Sequence, residues 1–165
     1  MSRVFTLKNI ALLLLIALNF SCDQWSKAVV RKHVAEESYT ELAGPYLIQT
    51  RVENTGAFLG LGRNWNPWVK RIFLQGMPML VLLWLIVRLL VRAQTGPLLA
   101  VGLGCIVGGG LGNLWDRMAS GSVTDFLQLK LGPFHTGIFN MADVSVTTGL
   151  LIVVLAYFLP KDPAA

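Results

Sequence analysis

Charged residues are scarce in this chain. Asp, Glu, Lys and Arg make up 14% of its 165 residues, while hydrophobic residues make up 54%. A soluble domain usually carries about 25% charged residues. The composition therefore excludes an ordinary soluble domain and predicts one small polytopic membrane domain over residues 1–165.

Cysteines and histidines are also few. Cys22 and Cys105 lie in or beside apolar segments without a CxxC pairing, which argues against a disulfide framework or a structural zinc site. His33 and His135 lie on different connections and have no ligand pattern around them. The motifs HExxH, GxSxG and GxxxxGK(S/T) do not occur in the sequence, so the corresponding zinc, serine-hydrolase and P-loop chemistries lack their residues. We therefore expect no metal site.

The net charge of +5 raises the question of a nucleic-acid partner. The sequence contains no basic run with interleaved aromatic residues. Its cations are scattered near the ends of apolar segments, where Lys and Arg side chains can reach the membrane interface. We therefore expect no nucleic-acid partner.

What the chain has instead is long apolar segments. Four of them run over approximately residues 9–30, 69–91, 97–117 and 141–159, and each is close to the roughly 20 residues that a helix needs to cross a bilayer. A short connection that ends at Gly96-Pro97 joins the second and third segments, which predicts an antiparallel hairpin. Four crossings put both termini on one side of the membrane.

The two longer connections lie on the opposite side. Residues 36–66 contain a turn signal at Gly44-Pro45 between partly alternating runs, and the second connection contains the alternating run VTDFLQLKL. Such runs predict short strands. The predicted fold class is an all-α membrane protein with four transmembrane helices and a small β-element at one membrane face.

Charged residues near membrane depth are costly and are functional candidates. Asn19, Asp23 and Lys27 follow one another at intervals of four, so a helix presents them on one face. Two interpretations remain open for this face. It forms an ion pair that fixes the helix end at the interface, or it lines a polar cavity.

Small residues mark the third apolar segment. Gly104, Gly108 and Gly112 repeat every four residues, a spacing that lets helices approach closely and that also leaves room for a substrate helix. Asn113 and Arg117, again four apart, follow toward the end of the segment. They serve either as structural hydrogen-bonding groups or as contacts to a substrate.

Two aspartates belong at the same membrane face. Asp125 follows the third segment and Asp143 begins the fourth. Two close carboxyl groups do not both ionise easily, so one is held protonated beside a charged one, and such a pair can activate water and protonate a leaving group. The structural alternative is an N-cap at Asn140 with Asp143 favoured by the helix dipole. Proton or ion conduction is a third interpretation.

Five blocks of the sequence resemble the motifs of one family. They are DQxxK at 23–27, NTGAF at 54–58, GGGLGNLWDR at 108–117, VTDF at 123–126 and FNMAD at 139–143. All five in this order on four apolar segments are highly specific. The chain resembles lipoprotein signal peptidase, or signal peptidase II, the intramembrane aspartic protease of bacteria, over nearly its whole length.

The resemblance implies roles for the matching residues. Asp125 and Asp143 match the two catalytic aspartates. The residues that match positions around the family's site are Asp23, Lys27, Asn54, Gly56, Phe58, Gly108, Asn113, Arg117, Asn140 and Ala142. The resemblance implies no metal and no organic cofactor, and it implies that residues 36–66 form the family's extracytoplasmic β-cradle.

The resemblance also implies partners and a location. The substrate would be a diacylglyceryl-modified prolipoprotein, cut just before the lipidated cysteine, and globomycin-type cyclic peptides would inhibit. The family lies among the lipids of the bacterial cytoplasmic (inner) membrane, with both termini in the cytoplasm and the site near the outer leaflet; we expect a monomer. The charge rule alone does not fix this orientation, because the side of the long connections carries more Lys and Arg than the side of the termini.

The chain departs from the family pattern at two positions. Many members have an extra alanine where this chain reads NTGAFLG, and many have alanine at the position of Gly110. We expect a different loop shape at the first position and a slightly looser third helix at the second. Neither departure involves the aspartates.

The start of the chain has features of a lipoprotein precursor, with basic residues, an apolar run and then Cys22. However, Asn19 and Phe20 stand where a lipobox usually has Leu and a small or aliphatic residue. Cleavage there would also remove the helix that precedes Asp23. We therefore expect an intact N-terminus and a retained first transmembrane helix.

Two other functions remain open. A proton or ion pathway would also use intramembrane carboxylates, but it needs polar residues through the depth of the helices, and residues 81–86 and 150–156 are essentially apolar. A non-catalytic binder of lipidated peptides would share the fold and the cavity. Both aspartates are present, so the sequence gives no sign of lost activity.

Overall fold

The computed structural model describes residues 7–91 and 95–159, and at Phe58 it describes the backbone alone. Within these residues, four helices are long and apolar enough to cross a membrane: α1 (Leu7–His33), α2 (Pro67–Val91), α3 (Pro97–Ala119) and α4 (Met141–Phe158). A small sheet contains β1 (Thr40–Glu41), β2 (Leu47–Asn54), β3 (Val123–Leu131) and β4 (Phe134–His135). The predicted fold class is confirmed.

Local signals explain where the helices begin. The Oδ1 of Asn66 accepts a hydrogen bond from the N–H of Trp68 at 3.0 Å, and Pro67 takes the first position of α2. Pro97 likewise takes the first position of α3, although the preceding Gly96 provides no side-chain cap. Within α2, Arg71–Gly76 is π-helical, a conformation that is frequent at functional sites.

The helix α3 is the centre of the bundle. In the most apolar stretch of α3, 50% is buried inside the protein, against 17–22% of the corresponding stretches in the other three helices. A Cβ atom at Gly108 would lie 2.7 Å from the Cβ of Asn19 in α1, and one at Gly102 would lie 2.9 Å from the carbonyl oxygen of Gly149 in α4. Glycine therefore lets α1 and α4 pack directly against the backbone of α3.

The apolar core lies between α1, α2 and α3. Its buried members are Leu12, Ile16, Leu82, Leu85, Leu89, Ala100, Val107 and Leu114. The outward faces remain apolar, as at Leu80, Leu83 and Leu151, which are all exposed. Exposed apolar helix faces of this extent fit a hydrocarbon surrounding rather than water.

The sheet takes half of its strands from the second long connection. Its order is β1-β2-β3-β4 with antiparallel neighbours. The β-structure therefore extends beyond residues 36–66, which the family resemblance assigned to the cradle, into the alternating run of the second connection. The sheet reaches into the second connection because β3 pairs along β2, from Leu47↔Leu129 to Asn54↔Val123. A register shift between Gln49 and Val52 interrupts this pairing, as a β-bulge does.

Candidate active site

The two aspartates lie at the end of the bundle that carries the sheet. Asp125 is in β3 and is 5% exposed, and Asp143 is in the first turn of α4. Backbone hydrogen bonds hold these elements together, because the N–H of Phe139 donates to the carbonyl of Leu127 at 2.8 Å and its carbonyl accepts from the N–H of Leu127 at 2.9 Å. The next residue, Asn140, therefore comes beside Asp125.

Asn140 binds both carboxylates. Its Nδ2 donates to the Oδ1 of Asp125 at 2.6 Å, and its backbone N–H donates to the Oδ2 of Asp143 at 3.1 Å. Its Oδ1 accepts from the N–H of Asp143 at 3.0 Å, which completes a capping box at the start of α4. The helix cap and the carboxylate pair are thus built around the same residue.

Two further asparagines complete the hydrogen bonding of the pair. Asn113 in α3 donates from Nδ2 to the Oδ1 of Asp143 at 2.8 Å, and Asn54 at the end of β2 donates from Nδ2 to the Oδ2 of Asp125 at 3.0 Å. The Oδ1 of Asn113 also accepts from the Nδ2 of Asn140 at 3.1 Å. All four carboxylate oxygens therefore accept hydrogen bonds from amide groups.

The surroundings of Asp125 change its titration. Burial raises the pKa of Asp125 from its ordinary 3.8 to about 6. Hydrogen bonds from Asn54 and Asn140 favour the ionised form and oppose this rise, while the neighbouring charge of Asp143 adds to it. A carboxyl group with a pKa near 6 can gain and lose a proton close to neutral pH.

Asp23 and Lys27 are wholly buried behind the pair. The Nζ of Lys27 lies 2.7 Å from the Oδ2 of Asp23 and donates to the Oδ1 of Asn113 at 3.0 Å. The Oδ1 of Asp23 accepts from the N–H of Ala142 at 2.8 Å. The ion pair is present, and it connects α1 to α3 and to the first turn of α4.

Asp116 is a buried partner that the sequence analysis missed. It is 2% exposed, and its carboxylate lies 2.8 Å from the Nζ of Lys27 and 3.2 Å from Nη2 of Arg31. Arg31 also donates from Nε to the Oγ1 of Thr124, beside Asp125, at 2.7 Å. An acid inside an apolar segment was a usable signal for Asp116. Nothing local marks Arg31 or Thr124, because their contacts join distant elements.

Arg117 and Gly56 join α3 to the loop after β2. Nη2 of Arg117 donates to the carbonyl of Gly56 at 3.0 Å, and the N–H of Gly56 donates to the Oδ1 of Asn54 at 3.0 Å. A Cβ atom at position 56 would lie 2.7 Å from the carbonyl carbon of Gly60, so this close crossing requires glycine. Phe58 begins the short 3-10 helix Phe58–Gly60, and its side chain lies outside the described part of the chain.

Gly108 and Ala142 contribute through packing rather than through side-chain chemistry. Gly108 faces α1 at Asn19, and Ala142 is wholly buried with its N–H on Asp23. Asn19 accepts a hydrogen bond from the hydroxyl of Ser145 at 2.6 Å. Gly108 and Asn19 therefore belong to the contacts between helices, and the contacts described for them are with each other and with Ser145 rather than with the aspartates.

The residues of this site belong to a stretch of sequence that matches a known protein family. The family model of signal peptidase (SPase) II matches residues 15–159. The chain belongs to the signal peptidase II family. All five motif blocks lie within the matched residues.

Lipoprotein signal peptidases from several bacteria are similar to this chain over most of their length. The one from Desulforapulum autotrophicum is 34% identical over 158 residues, which are 93% of this chain and 95% of the relative. The one from Moorella thermoacetica is 33% identical over 148 residues, or 90% of this chain and 93% of the relative.

Solved structures of bacterial membrane enzymes share the fold. One has a TM-score of 0.80 and covers 98% of this chain and 99% of its own at 23% identity, and another has a TM-score of 0.79 with 92% and 93% coverage at 24% identity. The four long apolar helices and this shared fold support a multi-pass membrane protein. In residues 7–91 and 95–159, no group of three His, Cys, Asp or Glu side chains could hold a metal ion.

Proposed function

We propose that this chain is an intramembrane aspartic endopeptidase that removes signal peptides from diacylglyceryl-modified prolipoproteins and cuts just before the lipidated cysteine. One observation carries the aspartic mechanism: Asn140 binds a carboxylate oxygen of Asp125 and one of Asp143. Membership in the signal peptidase II family supports the class of substrate.

The proposed reaction needs one ionised and one protonated carboxyl group. The ionised group takes a proton from water, which attacks the scissile carbonyl carbon, and the other group supplies a proton to the developing oxyanion or to the leaving amine. The raised pKa of Asp125 supports a proton exchange near neutral pH. Because neighbouring carboxyl groups titrate together, the apparent pKa values belong to the pair.

Arg117 supplies a further donor for the substrate in this proposal. Its Nε is buried and has no hydrogen-bond partner among the described residues, although its Nη2 is bound to Gly56. Buried donors without a partner are rare, and this one belongs to a guanidinium that interacts electrostatically with both aspartates. A substrate carbonyl oxygen would satisfy it and would be polarised by its charge.

The substrate also accounts for the position of the site. A lipid-modified signal helix lies in the bilayer, and its diacylglyceryl group holds the scissile bond near the interface. The sheet end of the bundle would therefore lie at the outer leaflet of the bacterial inner membrane, with both termini in the cytoplasm. Globomycin-type cyclic peptides would compete for the same site, and the working unit would be a monomer.

A cleavage assay tests this function. A diacylglyceryl-modified prolipoprotein in detergent or lipid is incubated with the parent, with Asp125→Asn or with Asp143→Asn, and the product is followed by gel shift. Glu41→Gln, which changes an exposed acid in β1, is the matched control, and thermal unfolding checks that every variant is folded. We expect cleavage by the parent and the control and a loss of about a thousandfold or more in both Asn variants.

Other outcomes separate the alternatives. A folded Asp125→Asn or Asp143→Asn variant with activity near that of the parent would show that the pair is not catalytic. A parent that binds the lipidated substrate without cutting it would be a binding protein. Intact-mass measurement of the same preparations tests retention of the N-terminus, and a chain that starts at a lipidated Cys22 would contradict it.

A further inference from the structure

The segment of residues 63–73, here called the basic segment, carries cations without any acid. Its cations are Arg63, Lys70 and Arg71, and the sequence contains no Asp or Glu between Glu53 and Asp116. In the described part of the chain, none of the three cations has an acidic partner within ion-pair distance. Their charge is therefore uncompensated by the protein.

The basic segment also contains exposed aromatic side chains, one of which contacts a cation. The guanidinium of Arg71 lies 5.0 Å from the ring centre of Trp68, which is 70% exposed. The rings of Trp65 and Phe73 meet edge to face at 6.0 Å, and both are also exposed. The segment thus presents aromatic rings and positive charges on one exposed stretch of the chain.

The basic segment lies where a membrane interface is expected. It contains the start of α2, one of the four helices able to span a bilayer, at the end of the bundle that carries the sheet. Tryptophan is enriched at this depth because its ring is apolar and its N–H is polar. Each Lys or Arg near an acidic lipid surface strengthens the attraction roughly fivefold.

Both flanks of the basic segment are attached to Arg117. On the loop side, Nη2 of Arg117 donates to the carbonyl of Gly56, and Ala57 donates its N–H to the carbonyl of Leu61. On the helix side, Nε2 of Gln75 donates to the carbonyl of Arg117 at 2.9 Å. A ligand held by the basic segment would therefore help to fix the position of Arg117, which interacts electrostatically with both aspartates.

We propose that the basic segment binds acidic phospholipids of the surrounding membrane. The phosphate groups pair with Arg63, Lys70 and Arg71, and the adjoining acyl chains lie against Trp68 and Phe73. The bound lipid holds the segment in place against Arg117. This goes beyond the proposed function, and its first test does not depend on cleavage.

The test compares two variants that each remove two positive charges. Lys70→Gln/Arg71→Gln changes the basic segment, and Lys32→Gln/Lys130→Gln changes cations outside it. Each protein is extracted from bilayers of equal phosphatidylcholine and phosphatidylglycerol content, and the retained lipids are counted by native mass spectrometry. We expect the parent and the control to retain phosphatidylglycerol preferentially and the Lys70/Arg71 variant to lose about tenfold or more of this preference.

Unchanged lipid preference in the Lys70→Gln/Arg71→Gln variant would overturn the proposal. A second measurement follows cleavage as the phosphatidylglycerol fraction is increased, with the same substrate throughout. We expect the rate to rise in the parent and the control but not in the Lys70/Arg71 variant. If the variant instead loses cleavage equally in pure phosphatidylcholine, and only for substrates with acidic residues, the segment binds peptide and the lipid proposal is wrong.

Discussion

Asn140 and Asp125 are joined by a hydrogen bond of 2.6 Å from Nδ2 to Oδ1. The donor precedes the last helix and the acceptor belongs to the sheet, so this bond connects two layers of the molecule. Asn140 is wholly buried and also caps α4 through its Oδ1. Its two roles use different atoms and can be separated by substitution.

Asn140→Ser and Asn140→Ala form the first matched pair. Serine caps a helix about as well as asparagine, whereas alanine does not, so the serine variant should be more stable by about 1 kcal/mol. Both variants lose the amide donor to Asp125, and we expect both to cleave roughly 10- to 100-fold more slowly. Thermal unfolding and cleavage rates measure the two effects. Full activity in the serine variant would mean that Asn140 acts through the cap alone.

Asp125 should make the stability of the protein depend on pH. Its pKa is about 6 in the folded protein against an ordinary 3.8, so the folded state binds this proton more tightly than the unfolded chain does. The resulting stabilisation, about 3 kcal/mol, is complete below the ordinary pKa and is lost as pH rises through about 6. Asp125→Asn cannot ionise, so its melting temperature should fall less than that of the parent between about pH 4 and 7. Parallel curves for the two proteins would contradict this.

The hydrogen bond from Asn54 lowers the pKa of Asp125, and its removal should shift the pH dependence of cleavage. Asn54→Ala removes a donor that favours the ionised form of Asp125, so the pKa of that group should rise. We expect the limb of the kcat/KM profile near pH 6 to move to higher pH in this variant. Asn64→Ala, at an exposed asparagine of the following loop, is the control and should leave the limb in place. A lower rate with an unmoved limb would indicate a purely structural role for Asn54.

Substitution by alanine should have different effects at two glycines of α3, Gly110 and Gly112. A Cβ atom at Gly112 would collide with the Oδ2 of Asp23, a buried carboxylate held by Lys27. A Cβ atom at Gly110 would lie 2.7 Å from a terminal methyl of Leu82, which can rotate away. We therefore expect Gly112→Ala to abolish folding or cleavage and Gly110→Ala to cost no more than about 1–3 kcal/mol with cleavage kept. Denaturation and cleavage assays on both proteins decide this, and equal behaviour would refute it.

Arg31 and Thr124 should act as one unit. Their hydrogen bond of 2.7 Å holds β3 against the end of α1, next to Asp125. We expect Arg31→Gln and Thr124→Val each to slow cleavage, and the double variant to be little worse than either single one. A double-mutant cycle should give a coupling energy between about 0.5 and 3 kcal/mol. Additive effects would show that the contact does not position Asp125.

The spanning helices, and the position of Asp125 and Asp143 at one end of them, could be predicted from the sequence because their signals are local. Apolar segments of the required length define helices without knowledge of their partners. Asp125 and Asp143 stand at the ends of such segments, and that position alone assigns them to one membrane face. Polar residues such as Arg31, Lys32 and His33 continue α1 beyond its apolar segment, so the helix is longer than hydropathy predicts.

The rest of the site depends on pairing between distant elements. The contact between Asn140 and Asp125 follows from the backbone bonds between Leu127 and Phe139, and no periodic pattern shows that pairing. The partners of Asp116 lie on α1 rather than on its own helix, so no spacing within α3 identifies them. The sequence likewise contains no local sign that β3 would join the sheet of β2, since that depends on register.

The carboxylate pair takes one member from β3 and the other from the last spanning helix. A growing chain that has inserted only three helices already contains Asp125, but it contains neither Asn140 nor Asp143. The carboxylate pair is therefore assembled only after α4 has joined α3 and β3. The same step gives the buried Asp23 of α1 its hydrogen bond from the N–H of Ala142, so the arrival of one helix completes both the carboxylate pair and the polar contact between α1 and α4.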